Sequence, residues 1–141
     1  MTRITLDLAN KIIAGAQAKG AEMKIKPLSV AVVDAGGHLI AFQRADGGSL
    51  MRFQIAAGKA AGALSFGVSS RKVAEMATDR PTFFAGVVAA APLGAIAAAG
   101  GVIIVADGFP IGAVGVTGDT SDNDELAALA GIAAAGLTAQ V

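Results

Sequence analysis

The 141-residue chain carries 11 Lys and Arg against 11 Asp and Glu, and 54% of its residues are hydrophobic. This balance of charge leaves no basic surface to attract nucleic acid or an anionic membrane, so both partner classes are disfavoured. The chain has no Cys, which excludes disulfides, thiolate metal sites, iron–sulfur clusters and a Cys nucleophile. Length and composition predict one domain covering residues 1–141.

Targeting signals and membrane spans are also disfavoured by the sequence. Asp7 comes early in the first residues, unlike the uninterrupted apolar region of a secretory signal, and this favours a cytoplasmic protein. Residues 87–105 are interrupted by Pro92 and by three glycines, so they lack the bulk of a membrane span. The many small residues, including 19 Gly, predict close helix packing and a homo-oligomer that covers part of the apolar surface.

The first elements form a helix and a hairpin. Thr5 is placed to cap a helix that ends near Gly20, since apolar residues recur between them at helical spacing. Residues 28–33 and 38–44 are strand-like and flank an Asp-Ala-Gly-Gly turn, which predicts a β-hairpin. Strict alternation would place four side chains of the second strand on one face. They are His38, Ile40, Phe42 and Arg44.

Two helices are predicted in the middle of the chain. The first begins at a Ser49 cap, and Gly58 and Gly62 lie one turn apart on it, so a neighbouring segment is expected to pack closely. The second is short and begins at a Ser70 cap. Residues 80–84 and 91–94 are interpreted as ordered loop around a small apolar segment, and the role of residues 78–100 is not predicted.

A second hairpin and a final helix close the chain. Residues 102–105 and 109–117 flank an Asp-Gly pair that suits the positive φ of a tight turn. Ser121 and Asp124 have capping-box spacing at the start of the last helix, and either Thr120 or Ser121 can cap it. Two hairpins separated by helices, with a helix at each end, predict an α+β fold in which helices pack on an antiparallel sheet.

Two separated motifs resemble one protein family. Residues 30–42 read Val-Ala-Val-Val-Asp-Ala-Gly-Gly-His-Leu-Ile-Ala-Phe and are followed by Arg44 and Asp46-Gly47, which is similar to the signature hairpin of the GlcG/HbpS family, also called the haem-degrading domain family. Residues 112–121, with Asp124-Glu125, are similar to that family's closing strand, glycine loop and acidic helix start. The order of elements agrees across roughly residues 3–139.

The resemblance carries expectations about fold and ligand. It implies a profilin-like three-layer α/β/α sandwich, with a five-stranded antiparallel sheet between helices, assembled as a homo-oligomer. Family members are associated with haem binding, with the C-terminal domain of PduO-type cobalamin adenosyltransferases, and with operons for small organic acids. Haem is therefore a candidate cofactor, but among conventional strong ligands the chain has only His38, and the family's haem ligands do not map onto this sequence.

Three residues are candidates for proton transfer. His38 follows the glycine turn, where an imidazole can accept a proton near neutral pH, although a solvent-facing or hydrogen-bonded turn histidine explains it equally simply. Asp119 and Glu125 are the acids that could move a proton beside it. No metal site is predicted, because these acids and their neighbours lack a second ligand cluster and suit the start of a helix.

Arginines and glycines are the candidates for ligand binding. Arg44 could meet a substrate carboxylate, and its alternative is a surface pair with Asp46. Arg52 and Arg80 could bind an anion or simply lie on the surface or in an oligomer contact. Gly36 and Gly37 let a ligand approach the backbone, and Gly118 precedes a helix start that offers free N–H groups to an anion. Gly36, Gly37 and Gly118 are therefore also predicted to belong to the site.

Three functional hypotheses follow. The first is a small-ligand-binding protein whose ligand is haem or another anionic cofactor or metabolite. The second is a small catabolic enzyme, an isomerase or hydrolase, that acts on a carboxylate-bearing small molecule. The third is a structural or interaction domain, which the Ala- and Gly-rich helices and the lack of a strong motif favour.

Overall fold

The computed structural model describes residues 2–140. Its helices are α1 (Leu6–Met23), α2 (Arg52–Phe66), α3 (Ser70–Asp79), α4 (Pro81–Ala90) and α5 (Ser121–Ala134). Its strands are β1 (Ser29–Asp34), β2 (Leu39–Arg44), β3 (Gly101–Ala106), β4 (Phe109–Thr117) and β5 (Thr138–Ala139).

The strands form one antiparallel sheet in the order β2-β1-β4-β3-β5. Helices α1 and α5 pack against each other and against one face, where Val30 and Val32 of β1 join the main core. Helix α2 covers the other face, where Val33 and Ala113 contact Ala60. The α+β fold with a five-stranded antiparallel sheet is confirmed, and the successive residues of β1 point alternately to the two helical layers.

The capping residue at the start of each helix was predicted correctly for some helices and not for others. Thr5 caps α1, because its hydroxyl accepts a hydrogen bond from the Leu8 N–H at 3.2 Å. Of the two candidate caps of α5, Thr120 holds the position and accepts from the Asn123 N–H. Thr120 and Ser121 are both good capping residues, so sequence alone could not choose between them. Asp124 does not complete a capping box but turns into the protein interior.

Helices α2 and α3 also begin differently from the prediction. Met51 is the N-cap of α2 and offers no side-chain hydrogen bond, so Ser49 is not its cap. Ser69 is the N-cap of α3, while Ser70 lies inside the helix, and its buried hydroxyl accepts from the Gly101 N–H at 2.6 Å. Tertiary packing against β3 therefore decides the role of Ser70.

The interpretation of residues 80–84 as loop is wrong, because α4 occupies Pro81–Ala90, whereas residues 91–94 lie outside any helix or strand. Proline suits the first position of a helix, where its missing N–H costs nothing, and the apolar run behind it holds no further proline. Helix α4 has ten residues, none of them buried. Among residues 2–140, no helix is both long and apolar enough to cross a membrane.

Strand β2 carries an irregularity that the alternation pattern does not reveal. Val32 pairs with Ala41 but Val33 pairs with Leu39, so Ile40 is an extra residue in β2. This bulge puts Leu39 and Phe42 on the α2 side of the sheet, and Ile40 packs against the core on the other side. The prediction that Ile40 and Phe42 share a face is therefore wrong.

Candidate functional site

A pocket of about 560 Å³ lies between the first hairpin, α2 and the segment that follows α4. Its walls are largely apolar and include Leu39, Phe53, Leu93 and Ile96, with His38 at the hairpin end. Ligand pockets in proteins usually span about 300–1,000 Å³ and combine apolar walls with few polar groups. The size and lining therefore suit a small organic ligand.

The small residues of α2 make this pocket possible. Gly58 closely contacts Ile96, since a Cβ added to Gly58 would lie 2.6 Å from Cγ1 of that side chain. Gly62 approaches Ala95 in the same way. The close packing predicted from the spacing of these glycines is thus confirmed, and its partner is the segment that forms the outer wall of the pocket.

The turn before β2 fixes the position of His38. Asp34 Oδ1 accepts hydrogen bonds from the N–H groups of Gly36 and His38 at 2.9 and 3.0 Å. The same oxygen lies 3.5 Å from Nδ1 of His38, whose side chain is 74% exposed. A carboxylate beside one ring nitrogen orients an imidazole, and here it is Nδ1 that faces Asp34, which leaves Nε2 on the other side of the ring.

Gly36 and Gly37 serve this site in different ways. A Cβ on Gly36 would lie 3.0 Å from Nδ1 of His38, so the bare backbone gives the imidazole its place. Gly37 has φ +83°, a conformation that favours glycine, and its Cα packs on Leu93. Of the predicted ligand-binding residues, Gly37 lines the pocket together with His38, and Gly36 supports the imidazole.

Arg44 and Arg52 lie at the opposite end of the sheet. Arg44 ends β2 and pairs with Ser29, which is five residues from Asp34 along β1, or roughly 17 Å at about 3.3 Å per residue. Arg52 donates from Nη1 to Thr117 Oγ1 at 2.8 Å. These two arginines therefore form a group of their own, away from His38, and no ion pair joins Arg44 to its neighbouring acid among residues 2–140.

The remaining predicted binding residues are dispersed. Arg80 is exposed, and its guanidinium carbon lies 4.0 Å above the ring centroid of Phe83. Gly118 packs on the Pro27 carbonyl so closely that a Cβ there would collide with it. Neither residue lines the apolar pocket. Phe84 stacks on Phe66, so the two adjacent phenylalanines have different surroundings.

The two predicted acids are each occupied by other partners. Asp119 accepts from the Lys26 N–H at 3.1 Å and from Nδ2 of Asn123 at 2.8 Å. These hydrogen bonds lower the pKa of Asp119, the Asn123 bond most strongly. Glu125 binds Nε of Arg71 through both oxygens at 3.1 Å. The structure does not bring either acid to His38, because both lie at the α5 end of the fold.

A buried ion pair is present that the sequence did not predict. Nζ of Lys59 lies 3.2 Å from Oδ2 of Asp124, and both side chains are almost completely buried. Burial lowers the pKa of Lys59 and raises that of Asp124, because desolvation outweighs the attraction between them. The sequence feature that could have indicated this pair is Lys59 itself, a lysine among the small buried residues of one face of α2. Its partner, 65 positions away, had an adequate local explanation as a helix-start acid.

A second depression of about 670 Å³ is wider and more open than the apolar pocket. It lies beside α3 and is lined by Arg71, Glu75, Asp79 and Asp122. Arg71 is already paired with Asp122 and Glu125, so this region is a solvated, charged surface. Within residues 2–140, no three His, Asp or Glu side chains are grouped closely enough to hold a metal ion.

Comparisons with solved structures agree with this fold. HbpS from Streptomyces reticuli, solved as a double mutant, is 30% identical, with a TM-score of 0.81 over 94% of this chain and 87% of that one. The ORFY protein of Klebsiella pneumoniae is 26% identical, with a TM-score of 0.85 over 96% and 93% of the two chains. A PduOC–haem complex has a TM-score of 0.87 over 99% and 100% at 19% identity, which shows the shared fold alone.

Sequence comparison gives the family. An uncharacterized 15.0 kDa protein of Citrobacter freundii, from the dhaT-dhaS intergenic region, is 29% identical over 125 residues, which are 89% of this chain and 87% of that protein. Residues 4–133 match the family described as "Haem degrading protein HbpS-like". That match covers most of the 141 residues, and the chain therefore belongs to the HbpS-like family.

Proposed function

We propose that this protein binds a small, largely apolar ligand of the haem class in the pocket bordered by His38, Phe53 and Leu93. The observation that carries the proposal is an apolar pocket with an oriented imidazole at its edge. The family description supports the choice of haem, since it concerns haem-degrading proteins. Binding requires no catalytic constellation, which agrees with the separate locations of Asp119 and Glu125.

The residues of the pocket fit such a ligand. A porphyrin needs apolar walls for its macrocycle, and these are provided by Leu39, Phe53 and Ile96. Haem iron needs a donor such as an imidazole nitrogen, and His38 is the one histidine of the chain. Bound iron would supply the ligand's coordination and redox chemistry. The protein's own contribution is to hold the imidazole through Asp34 and to admit a flat ligand beside Gly37.

Titration with haem, followed by absorbance in the Soret region, tests the proposal. We expect a saturable spectral change with the native protein and a different spectrum with His38→Ala, because the nitrogen ligand is lost. Ala57→Leu should weaken binding about tenfold or more by filling the pocket. Ala18→Leu is the matched control, because Ala18 lies on the exposed surface of α1, away from the pocket. The proposal fails if haem does not bind, or if His38→Ala and Ala57→Leu both bind it as the native protein does.

We also propose that the protein forms a homo-oligomer. Helix α4 consists mainly of apolar residues, yet none of them is buried within one protomer. Phe83 is 46% exposed, and large apolar side chains on a helix surface are typical of an interface. Light scattering coupled to gel filtration should give a mass that is a multiple of the protomer mass, and Phe83→Glu should lower it. A native protein of monomer mass would contradict this proposal.

A further inference from the structure

A polar group lies at the end of the sheet opposite His38. Arg44, Ser29 and Thr117 are paired neighbours across β2, β1 and β4, so their side chains form a row on one face. Side chains directly opposite each other in antiparallel strands are about 5 Å apart. The face is the one that α2 covers, and Arg52, the first residue of α2, reaches Thr117 from above.

The hydroxyl in the middle of this row has no partner. Ser29 is completely buried, and within residues 2–140 its Oγ makes no hydrogen bond. Buried hydroxyl groups are nearly always hydrogen-bonded, because leaving one unpaired costs free energy. The unpaired Ser29 hydroxyl therefore lies between Arg44 and Thr117. This arrangement favours a role in ligand binding over a role in packing.

The two arginines beside Ser29 also have unused donors. A guanidinium carries five N–H groups, and Arg52 uses one side-chain nitrogen to bind Thr117. In the part of the chain that the structure describes, neither Arg44 nor Arg52 forms an ion pair with a carboxylate. The nearby charge of Lys59 is matched by Asp124. The group therefore has unmatched positive charge on its exposed side.

The start of α2 adds to the positive charge of the two arginines. Its N-cap, Met51, provides no side-chain acceptor, and the first turn contains no acidic residue. The first N–H of this 15-residue helix, that of Arg52, donates to the Ser49 carbonyl at 3.3 Å, but the helix N-terminus still carries a partial positive charge that a cap or an anion normally satisfies. Arg52 occupies the first helical position, so the helix end and the guanidinium act on the same region.

We propose that Arg44, Arg52, Ser29 and the start of α2 form a binding site for an oxyanion, either a carboxylate or a phosphate group of a small molecule. Two guanidinium groups match the paired oxygens of such an anion, and the Ser29 hydroxyl supplies a third type of donor. The site adjoins the apolar pocket, because Phe53 and Gln54, which follow Arg52 in α2, line that pocket, but Arg44, Arg52 and Ser29 are not among its lining residues.

Isothermal titration of the full chain with inorganic phosphate and with oxalate, in chloride buffer, tests this site and separates the two oxyanion types. At least one anion should bind saturably, and Arg44→Gln and Arg52→Gln should each weaken binding about tenfold or more. Arg3→Gln is the matched control, since Arg3 is an exposed arginine outside the group. The site is refuted if neither anion binds, or if both glutamine variants bind like the native protein.

Ser29→Ala provides a readout that a purely structural serine would not give. Removing an unpaired buried hydroxyl should leave the melting temperature equal or raise it, because an unsatisfied donor is lost. Anion binding should nevertheless weaken. If Ser29→Ala binds both anions as tightly as the native protein does, Ser29 is not part of the site.

Discussion

The ammonium group of Lys59 lies 3.2 Å from a carboxylate oxygen of Asp124, with 3% and 2% of the two side chains exposed. Lys59 also donates to the Val116 carbonyl at 2.9 Å, and the second Asp124 oxygen accepts from the Asp119 N–H at 3.0 Å. The pair thus joins α2, β4 and the start of α5. It connects the two helical layers through the end of the sheet that carries the proposed oxyanion site.

Removing one partner of this pair should destabilise the protein strongly. Lys59→Met leaves the Asp124 carboxyl buried without its counter-ion, and such losses typically cost about 3–5 kcal/mol. Urea unfolding, followed by circular dichroism, measures the change in the free energy of unfolding.

The double variant Lys59→Met/Asp124→Asn gives the control for this prediction. Its amide oxygen can still accept from the Asp119 N–H, and no charge remains buried. We therefore expect the double variant to be more stable than Lys59→Met alone. Equal stability of Lys59→Met and the native protein would show that the pair is not buried as described.

Asp119 should make stability depend on pH in the acid range. Hydrogen bonds to its carboxylate hold its pKa below the ordinary value of 3.8, so the folded protein binds this proton less readily than the unfolded chain. The resulting stabilisation is fully present above pH 3.8 and is lost as the pH falls through the folded pKa.

Asp119→Asn tests that dependence directly. The native protein should be the more stable of the two at about pH 6, and the difference should shrink towards about pH 2.5. Thermal unfolding at both pH values measures this difference in stability. Asp7→Asn is a suitable control, since Asp7 makes only an exposed pair with Lys11. A difference that does not change with pH would contradict the argument.

Substitution by alanine should change the stability of the protein in opposite directions at two glycines. A Cβ on Gly115 would collide with the carbonyl oxygen of Ala56, because β4 and α2 are in backbone contact there. Gly115→Ala should therefore destabilise the protein by about 2 kcal/mol or more. Gly86 lies in α4 with no atom near its added Cβ, and Gly86→Ala should stabilise it by about 0.5–1 kcal/mol. Chemical denaturation compares both with the native protein.

His38 should be dispensable for folding. Its side chain is 74% exposed and lies 3.5 Å from the Asp34 carboxylate, so His38→Ala should change the free energy of unfolding by less than about 0.5 kcal/mol. Any altered haem spectrum of that variant would then report on the ligand site rather than on damaged structure. A large loss of stability would show that the imidazole has a structural role.

Features decided by neighbours in sequence could be predicted. The Thr5 cap, the Asp34 turn and the positive φ of Asp107 are of this kind, because each depends on hydrogen bonds or backbone sterics within a few residues. The close approach at Gly58 and Gly62 was predictable for a similar reason, since bare backbone at helical spacing leaves room for a neighbour.

Features decided by tertiary contact could not be predicted. Lys59 and Asp124 are 65 residues apart, and no local pattern relates them. The extra residue at Ile40 is set by how the first hairpin fits the core, so simple alternation put Ile40 on the wrong face. Alternation also put His38 and Arg44 on one face, but the length of β2 keeps them apart. The pocket wall at Leu93 likewise depends on the path of the chain after α4.

The bulge at Ile40 also affects how the protein behaves in a crowded solution. Strand β2 is one edge of the sheet, and a bulge in an edge strand interrupts the regular row of N–H and C=O groups that another chain would need for pairing. The other edge, β5, is only two residues long. Neither edge offers a long template for β-strand addition, so uncontrolled growth into fibrous aggregates is opposed by the backbone itself.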